Sequence, residues 1–319
     1  MAIASTAVFN LDADQVIESA FARVGGEQVT GFLLRMARRE LQLMLQQWCN
    51  LGVNMWCTER QYITLIDGVN KYYLPQDVVD IQNMESRQQN AVARLTTTGT
   101  NIISTTSGSA VITVADPDNG ASIGDQVVIT TTSAVGGLAL TAGVTYTLQT
   151  AAEDSYTASS TSAATSTQAL GGGATTLEYL GYTDLPVTRM SLDDWARFTN
   201  KTNLGGPPRL FYLDRQINPV IYIYPLPNGQ PPTQLIYWYQ RRLKDVPTLG
   251  SNIDIPNRFL PAIVSGLAYR LSLLRPQIPL PVRADLKAIY DDEFSVARDE
   301  DRDASPLRIE PNFSAYYRP

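Results

Sequence analysis

Apolar residues recur every three to four positions near both ends of the chain and every second position in much of the middle. Val16, Ile17, Ala20 and Phe21 predict a helix over 12–24, stopped by Gly25-Gly26. Thr30 is placed to cap a longer helix running to about Asn50. Its apolar stripe is Leu33, Leu34, Ala37, Leu41, Leu45 and Trp48, and Leu51-Gly52 closes it. Ser191 caps a short helix over 192–200. Pro256 opens a helix to Leu274 that is apolar nearly all round, the mark of a buried helix. Pro281 opens the last helix, which runs to about Asp303.

Elsewhere the period is two. Trp56–Ile66 and Lys71–Leu74 read as strands around the turn Asp67-Gly68-Val69-Asn70, with a third strand over Val78–Glu85. Short strands follow at 111–114, 126–130, 145–149 and 156–157. Asp116-Pro117-Asp118-Asn119-Gly120, Gly136-Gly137 and Gly171-Gly172-Gly173 separate them. Strands at this spacing predict a small sandwich or barrel. Then 209–213, 220–224 and 234–240 alternate aromatic residues, with Pro225, Pro227, Pro231 and Pro232 in the last turn. The expected fold class is α+β. It comprises a helical host domain with long helices at both ends and a small antiparallel β part (1–95 and 180–303), an inserted all-β sandwich or barrel (96–179), and an extended tail (304–319).

Composition sharpens the modular picture. No Lys or Arg occurs between Arg94 and Arg189, a stretch rich in Thr, Ser, Ala and Gly, whereas both flanks carry arginines. That contrast points to a solvated β module within a host, and to an assembly component more than an enzyme. The net charge of −6 makes phosphate neutralisation an unsuitable main task, yet an acidic wall lets DNA slide without sticking. The chain has no histidine, which excludes Ser-His-Asp and Cys-His triads, His-ligated zinc and His-based acid–base catalysis. Cys49 and Cys57 read as plain thiols of a reducing compartment. The N-terminus lacks the pattern of a signal peptide. The longest apolar run, broken by Arg270, is short of a membrane span, so none is expected.

Candidate chemistry is sparse. Asp116–Gly120, with Asp125 behind it, faintly resembles a calcium loop, but Pro117 sits inside it and the closing Glu is missing; a β-turn is the better reading. The glycine clusters lack the Lys-Ser/Thr of a phosphate loop, and no dinucleotide fingerprint opens a helix. No catalytic residue, cofactor or metal ligand is therefore assigned. The last helix interleaves Asp285, Asp291, Asp292, Glu293, Asp299, Glu300, Asp301 and Asp303 with Arg283, Lys287, Arg298 and Arg302. The pattern suits a solvated or interface-forming face and gives no sign of a catalytic carboxylate pair. Arg35, Arg38 and Arg39 sit largely off the apolar stripe of the second helix, as a solvated face or a site for an acidic partner. The candidate interface-forming charges are Arg35, Arg38, Arg39, Asp291, Asp292, Glu293, Asp299 and Asp301. The aromatic strands around Phe211, Tyr222 and Tyr237 fit sheet core and cross-strand pairs better than base stacking.

The order of segments resembles a known family. Arg38-Arg39-Glu40-Leu41 through Gln47-Trp48 is followed by Leu51-Gly52-Val53-Asn54-Met55-Trp56, Tyr62, Lys71-Tyr72-Tyr73-Leu74-Pro75 and Val78-Val79-Asp80-Ile81. Ile255-Pro256, Ala268-Tyr269-Arg270-Leu271 and Ala297-Arg298-Asp299-Glu300-Asp301-Arg302 complete the pattern. It resembles the head-to-tail connector or adaptor proteins of short-tailed bacteriophages, over about 1–95 and 180–319. The central segment resembles immunoglobulin-like or barrel-like insertions of virion proteins, through Gly124-Asp125-Gln126-Val127 and Gly143–Leu148.

The resemblance implies a non-enzymatic virion protein of the head–tail interface, assembled in the host cytoplasm. It implies a homo-oligomeric ring of twelve subunits between the portal protein and the tail nozzle or tube. Genomic DNA passes through the lumen without specific binding, and the ring helps to retain the genome. Tail fibres are a further expected contact of the insertion. The C-terminal tail is expected to dock on the portal through Ser305, Pro306, Leu307, Arg308, Ile309, Glu310, Pro311, Asn312, Phe313, Tyr316 and Tyr317. The alternative is an adhesive, carbohydrate-binding tail protein acting through the β insertion. A hydrolase using paired acids is a third reading.

Overall fold

The computed structural model of the protein describes residues 11–25, 30–51, 55–228, 233–245, 250 and 252–301. The expected portal-docking tail, including Ser305 to Tyr317, lies outside the described residues. The chain divides into two compact units, one of Met1–Thr58 with Arg242–Pro319 and one of Glu59–Arg241.

The first unit is helical. It contains α1 (Ala13–Val24), α2 (Gly31–Leu51) and a single 3-10 turn (Met55–Cys57) before the chain enters the second unit. Gln15 Oε1 accepts from Asp12 N at 3.2 Å to start α1, and Gly25 ends it at φ +120°. Thr30 Oγ1 lies 3.5 Å from Leu33 N at the start of α2, the cap position read from the sequence. After the second unit come another 3-10 turn (Asn257–Phe259) and two helices, Leu260–Leu273 and Leu280–Glu300. The first of these is buried nearly all round, as its composition predicts, and packs against α1, α2 and the last helix. Gly266 permits that closeness, because a Cβ there would lie 2.7 Å from both Met44 Sδ and Tyr290 Cε2. Trp48, Phe259 and Phe294 join in the core, and Trp48 Nε1 donates to the Tyr290 hydroxyl at 3.0 Å.

The second unit is built of strands: β1 (Thr58–Thr64), β2 (Lys71–Tyr73), β3 (Val78–Thr100), β4 (Ile103–Thr105), β5 (Val111–Ala115), β6 (Gln126–Thr131) and β7 (Thr145–Ala151). Then come β8 (Ser155–Ser159), β9 (Gln168–Gly171), β10 (Ala174–Pro186) and β11 (Thr188–Arg189). A short helix, α3 (Leu192–Arg197), precedes β12 (Leu210–Asp214), β13 (Val220–Tyr224) and β14 (Thr233–Arg241). The helices at 260–273 and 280–300 are accordingly α4 and α5. One sheet has the order β1-β14-β3-β10-β6-β7-β8-β5-β4-β9 and the other β11-β12-β13-β2.

The unit has two apolar cores. One lies between the two sheets, with Ile81, Met84, Leu235, Tyr237 and Tyr239 facing Tyr72, Phe211, Ile221 and Ile223. In the other, the large sheet curls round Ile112, Val114, Val127, Ile129, Leu148, Tyr156, Leu177 and Tyr179. The strand alternation there is strict: Ile112 and Val114 are buried on β5, while Val111, Thr113 and Ala115 are exposed or half-exposed. Threonine suits the outward face because its branched Cβ favours extended backbone and its hydroxyl faces water.

Three expectations are overturned. A helical host domain with a small β part is not what forms: among the described residues strands outnumber helical residues, and the molecule is mostly β. The third strand, expected to end at Glu85, runs on to Thr100 as β3 and pairs with β10 from Glu85–Pro186 to Thr100–Ala174, with irregularities around Leu180 and Tyr182. Residues 88–99 are rich in Gln, Asn and Thr, and much of this ribbon is exposed, so no one-sided apolar pattern marks it. Backbone pairing carries residues 88–99, and Leu177 and Tyr179 on the β10 side enter the apolar core. Nor do β1 and β2 form a hairpin: β1 lies beside β14, and β2 pairs with β13 in the other sheet. The Tyr72 hydroxyl accepts from Ile66 N at 2.9 Å, fixing the chain where it crosses between the sheets.

Candidate assembly interface

Charge is deployed in two ways, one buried and one exposed. The buried set joins β3, β10 and the turn before β6. Arg87, 2% exposed, donates through Nε and Nη2 to Asp184 Oδ1 and Oδ2 at 2.8 and 2.6 Å, a two-pronged pair. Its Nη1 donates to Asp125 Oδ1 at 2.6 Å, and its Cζ lies 3.4 Å from the Tyr182 ring centroid. Asp125 also accepts from Arg94 Nη2 at 3.2 Å and Ser122 N at 3.1 Å, with Arg60 Nη2 3.7 Å away. Burial works against the Arg87 charge, but Asp184 and Asp125 outweigh it and hold its pKa above the ordinary arginine value. Arg60, desolvated by burial and repelled by Arg87, is held below that value. Gly124, at φ +86°, brings the turn so close that a Cβ would lie 2.8 Å from Ile236 Cδ1. These contacts fasten the turn to the long strands. The two carboxylates are occupied by protein donors, which makes this a strut.

The Asp116–Gly120 turn is likewise internally satisfied. Asp116 Oδ2 accepts from the Tyr179 hydroxyl at 2.5 Å and from Thr97 Oγ1 at 2.9 Å, while Asn119 Nδ2 donates to Asp116 O at 2.8 Å. Among the described residues no three or more His, Cys, Asp or Glu side chains are grouped to hold a metal ion. No described helix is long and apolar enough to cross a membrane. The aromatic strands divide between two faces. Phe211, Tyr237 and Tyr239 enter the inter-sheet core, whereas Tyr212, Tyr222 and Tyr224 lie on the other face under Trp195 and Phe198 of the α3 region.

The exposed set is in the helical unit. Arg35 and Arg39 are exposed and Arg38 half-buried on α2, where they line a shallow depression with Gln42 and Leu43. On α5, Asp291, Asp292 and Asp299 are exposed. Two residues of the expected interface turn inward: Asp301 is buried and bonded to Arg258, and the half-buried Glu293 lies 3.8 Å from Arg23. Asp291 lines a groove between α2 and α5, where Arg270 pairs with Glu40 at 3.5 Å. Among the described residues no ion pair links Arg35 or Arg39 to the α5 acids.

The sequence reading passed over the strut, although a signal was present. Asp125 opens a strand within the stretch that has no Lys or Arg, so a cation to match it must come from outside, and Arg60, Arg87 and Arg94 all do. Also passed over were apolar residues exposed on the same helices, Phe32 and Leu43 on α2 and Val282, Ile289 and Val296 on α5.

The profile of the SU10 adaptor protein family matches residues 131–310, more than half of the chain. No curated protein matches. Among solved structures, the phage phi92 endosialidase aligns at 17% identity with a TM-score of 0.25, over 61% of this chain and 29% of its own length. That likeness is too slight to support a shared fold or activity. The family match extends from the end of β6 through α5 and past the described residues. The chain belongs to the SU10 adaptor family, and is thereby a structural adaptor and component of a phage particle.

Proposed function

We propose that the protein is a head-to-tail adaptor that forms a ring between the portal and the tail nozzle or tube of a short-tailed phage. Copies of the chain, twelve in this reading, surround a lumen through which genomic DNA passes without specific binding. The C-terminal segment from Ser305 to Tyr317 docks on the portal. The role is structural, and the work is done by surfaces, not by a reactive centre.

The observation that carries this reading is the family match over 131–310. Two features accord with it. The carboxylates of the charge cluster in the β unit are filled by protein partners, and among the described residues of the helical unit Arg35, Arg39, Asp285 and Asp292 are exposed without an ion pair. The inserted segment, 96–179, is read as the part available to tail fibres.

The test is negative-stain microscopy of the chain mixed with its portal, with and without residues 304–319. A ring stacked on the portal by the full chain and lost on truncation is the expected result. Absence of a complex with either chain overturns the reading.

A further inference from the structure

The exposed face of α5 has a regular composition. Val282, Ile289 and Val296 recur every seven residues, and Asp285, Asp292 and Asp299 follow each of them by three. The resulting 3-4-3-4-3 spacing draws one stripe along the helix, the pattern by which a helix meets another helix. All six residues are exposed, Val296 to 63%. Among the described residues Asp285 and Asp292 form no ion pair. A β-branched seam interrupted by an acid every second turn needs an occupant that is apolar at some positions and cationic at others.

The chain carries such a surface on α2. Phe32, Arg35, Arg39 and Leu43 lie on one exposed stripe, continued by Gln46 and Asn50. Phe32 is 66% exposed, and among the described residues Arg35 and Arg39 have no ion-pair partner. At a rise of about 1.5 Å per residue, the α5 stripe is roughly 26 Å long and the α2 stripe roughly 27 Å. The two match in length and oppose in charge.

They cannot meet within one copy. α2 and α5 share a groove lined by Glu40 and Gln47 from one helix and by Lys287 and Asp291 from the other. At about 100° per residue, the α5 stripe is turned roughly 150° from that groove, and the α2 stripe roughly 90°. The α5 stripe therefore faces away from the groove and the α2 stripe sideways to it, so the two do not face each other.

We propose that the Val282–Asp299 stripe of α5 docks on the Phe32–Asn50 stripe of α2 in a second copy of this chain. The contact is head-to-tail: each copy offers one α2 face and one α5 face. Such an interface extends from copy to copy and closes into a ring when the rotation between copies permits. The assignment deepens the ring reading above and rests on it. Burial of the apolar residues supplies affinity, and Arg35 and Arg39 against the aspartates supply register and salt dependence.

Sedimentation velocity of the full chain over a wide concentration range tests this. The wild type is expected to self-associate, less so at high salt. Variant A, Ile289→Asp with Val296→Asp, loses the α5 face. Variant B, Arg35→Asp with Arg39→Asp, loses the α2 face. Each alone is expected to be monomeric where the wild type associates, a loss of tenfold or more in affinity. Equimolar A and B retain one compatible pair of faces, so they form a one-to-one dimer that grows no further. A third variant, Asp285→Lys with Asp292→Lys, tests charge without adding acid to the apolar positions: it is expected to pair with B better than with wild type. Circular dichroism matching the wild type shows that each variant is folded. A wild type that stays monomeric to about 100 µM, variants that associate as the wild type does, or a silent A–B mixture each overturns the assignment. Association through some other face leaves the adaptor ring standing and removes only this interface. Association through these faces with no binding to the portal has the opposite meaning.

Discussion

The β unit and the helical unit use arginine and aspartate in opposite ways. In the β unit, Arg87 is buried between Asp125 and Asp184, and both carboxylates are bonded to protein donors. In the helical unit, Arg35 and Arg39 on α2 and Asp285 and Asp292 on α5 are exposed and lack ion pairs within the described chain. Desolvation explains the contrast. A charge taken out of water has to be matched where it lies, so a buried cluster is complete in one copy. An exposed charge remains hydrated and is available to a second surface. Buried charge therefore reports on the fold, and exposed charge arranged at helical spacing reports on assembly.

The sharpest way to break this comparison is to remove the buried cation. Arg87→Met leaves Asp125 and Asp184 without their main partner, and is expected to cost the β unit about 3–5 kcal/mol. Urea denaturation followed by tyrosine and tryptophan fluorescence measures it. A loss below about 1 kcal/mol would mean that solvent reaches the cluster and that the two charge sets do not differ in kind. A smaller effect is expected where backbone closeness, not charge, holds an element. Gly266→Leu inserts atoms where even a Cβ would meet Met44 Sδ and Tyr290 Cε2 at 2.7 Å, and is expected to cost about 1–3 kcal/mol by thermal denaturation. An unchanged midpoint would show that α4 has room to move from α2 and α5.

How much of this was readable beforehand depends on what marks each element. The helices α1, α2, α4 and α5 announce themselves through apolar periodicity, Pro at their starts and Gly25 after the first. The strands β5 to β8 show their alternation in Ile112/Val114, Val127/Ile129, Tyr146/Leu148 and Tyr156/Ala158. The long β3–β10 ribbon was not legible, because Gln88 to Gly99 bury no consistent face and backbone pairing leaves no signature in side chains. Sheet membership of β1 and β2 was not legible either, since both place residues against the same inter-sheet core and either pairing satisfies the pattern. The candidate interface was half legible. Its charges were visible in sequence, but which of them turn inward depends on Arg23 and Arg258, far away along the chain.

Ionisation distinguishes the buried polar groups without altering a residue. Burial, then the nearby Asp77 and Glu59, pushes the Tyr239 hydroxyl up to about 12 from an ordinary value near 10. Tyr156, Tyr179 and Tyr237 are raised as well, mainly by burial. A folded-state pKa above the unfolded one gives stability that is complete below about pH 10 and is lost as pH rises toward 12. Absorbance titration near 295 nm is expected to show the exposed tyrosines ionising first, with the buried set following only as the β unit unfolds. A single titration centred near 10 would place those hydroxyls in water.

The smallest effect is expected at Glu293, a residue of the expected interface that is partly exposed and lies near a cation of its own chain. Its partner Arg23 is 3.8 Å away, and both side chains keep part of their surface in solvent. Screening and side-chain entropy reduce such a pair to about 0–1 kcal/mol. Glu293→Gln keeps the shape and removes the charge, so thermal denaturation is expected to shift little. Self-association is expected to be unchanged too, because Glu293 lies off the Val282–Asp299 stripe. Asp292→Asn, one residue before it and on the stripe, is expected to weaken association while leaving stability alone. If the two variants act alike on association, the face of α5 does not decide which acids serve assembly, and the division between inward and outward charge fails within the helical unit itself.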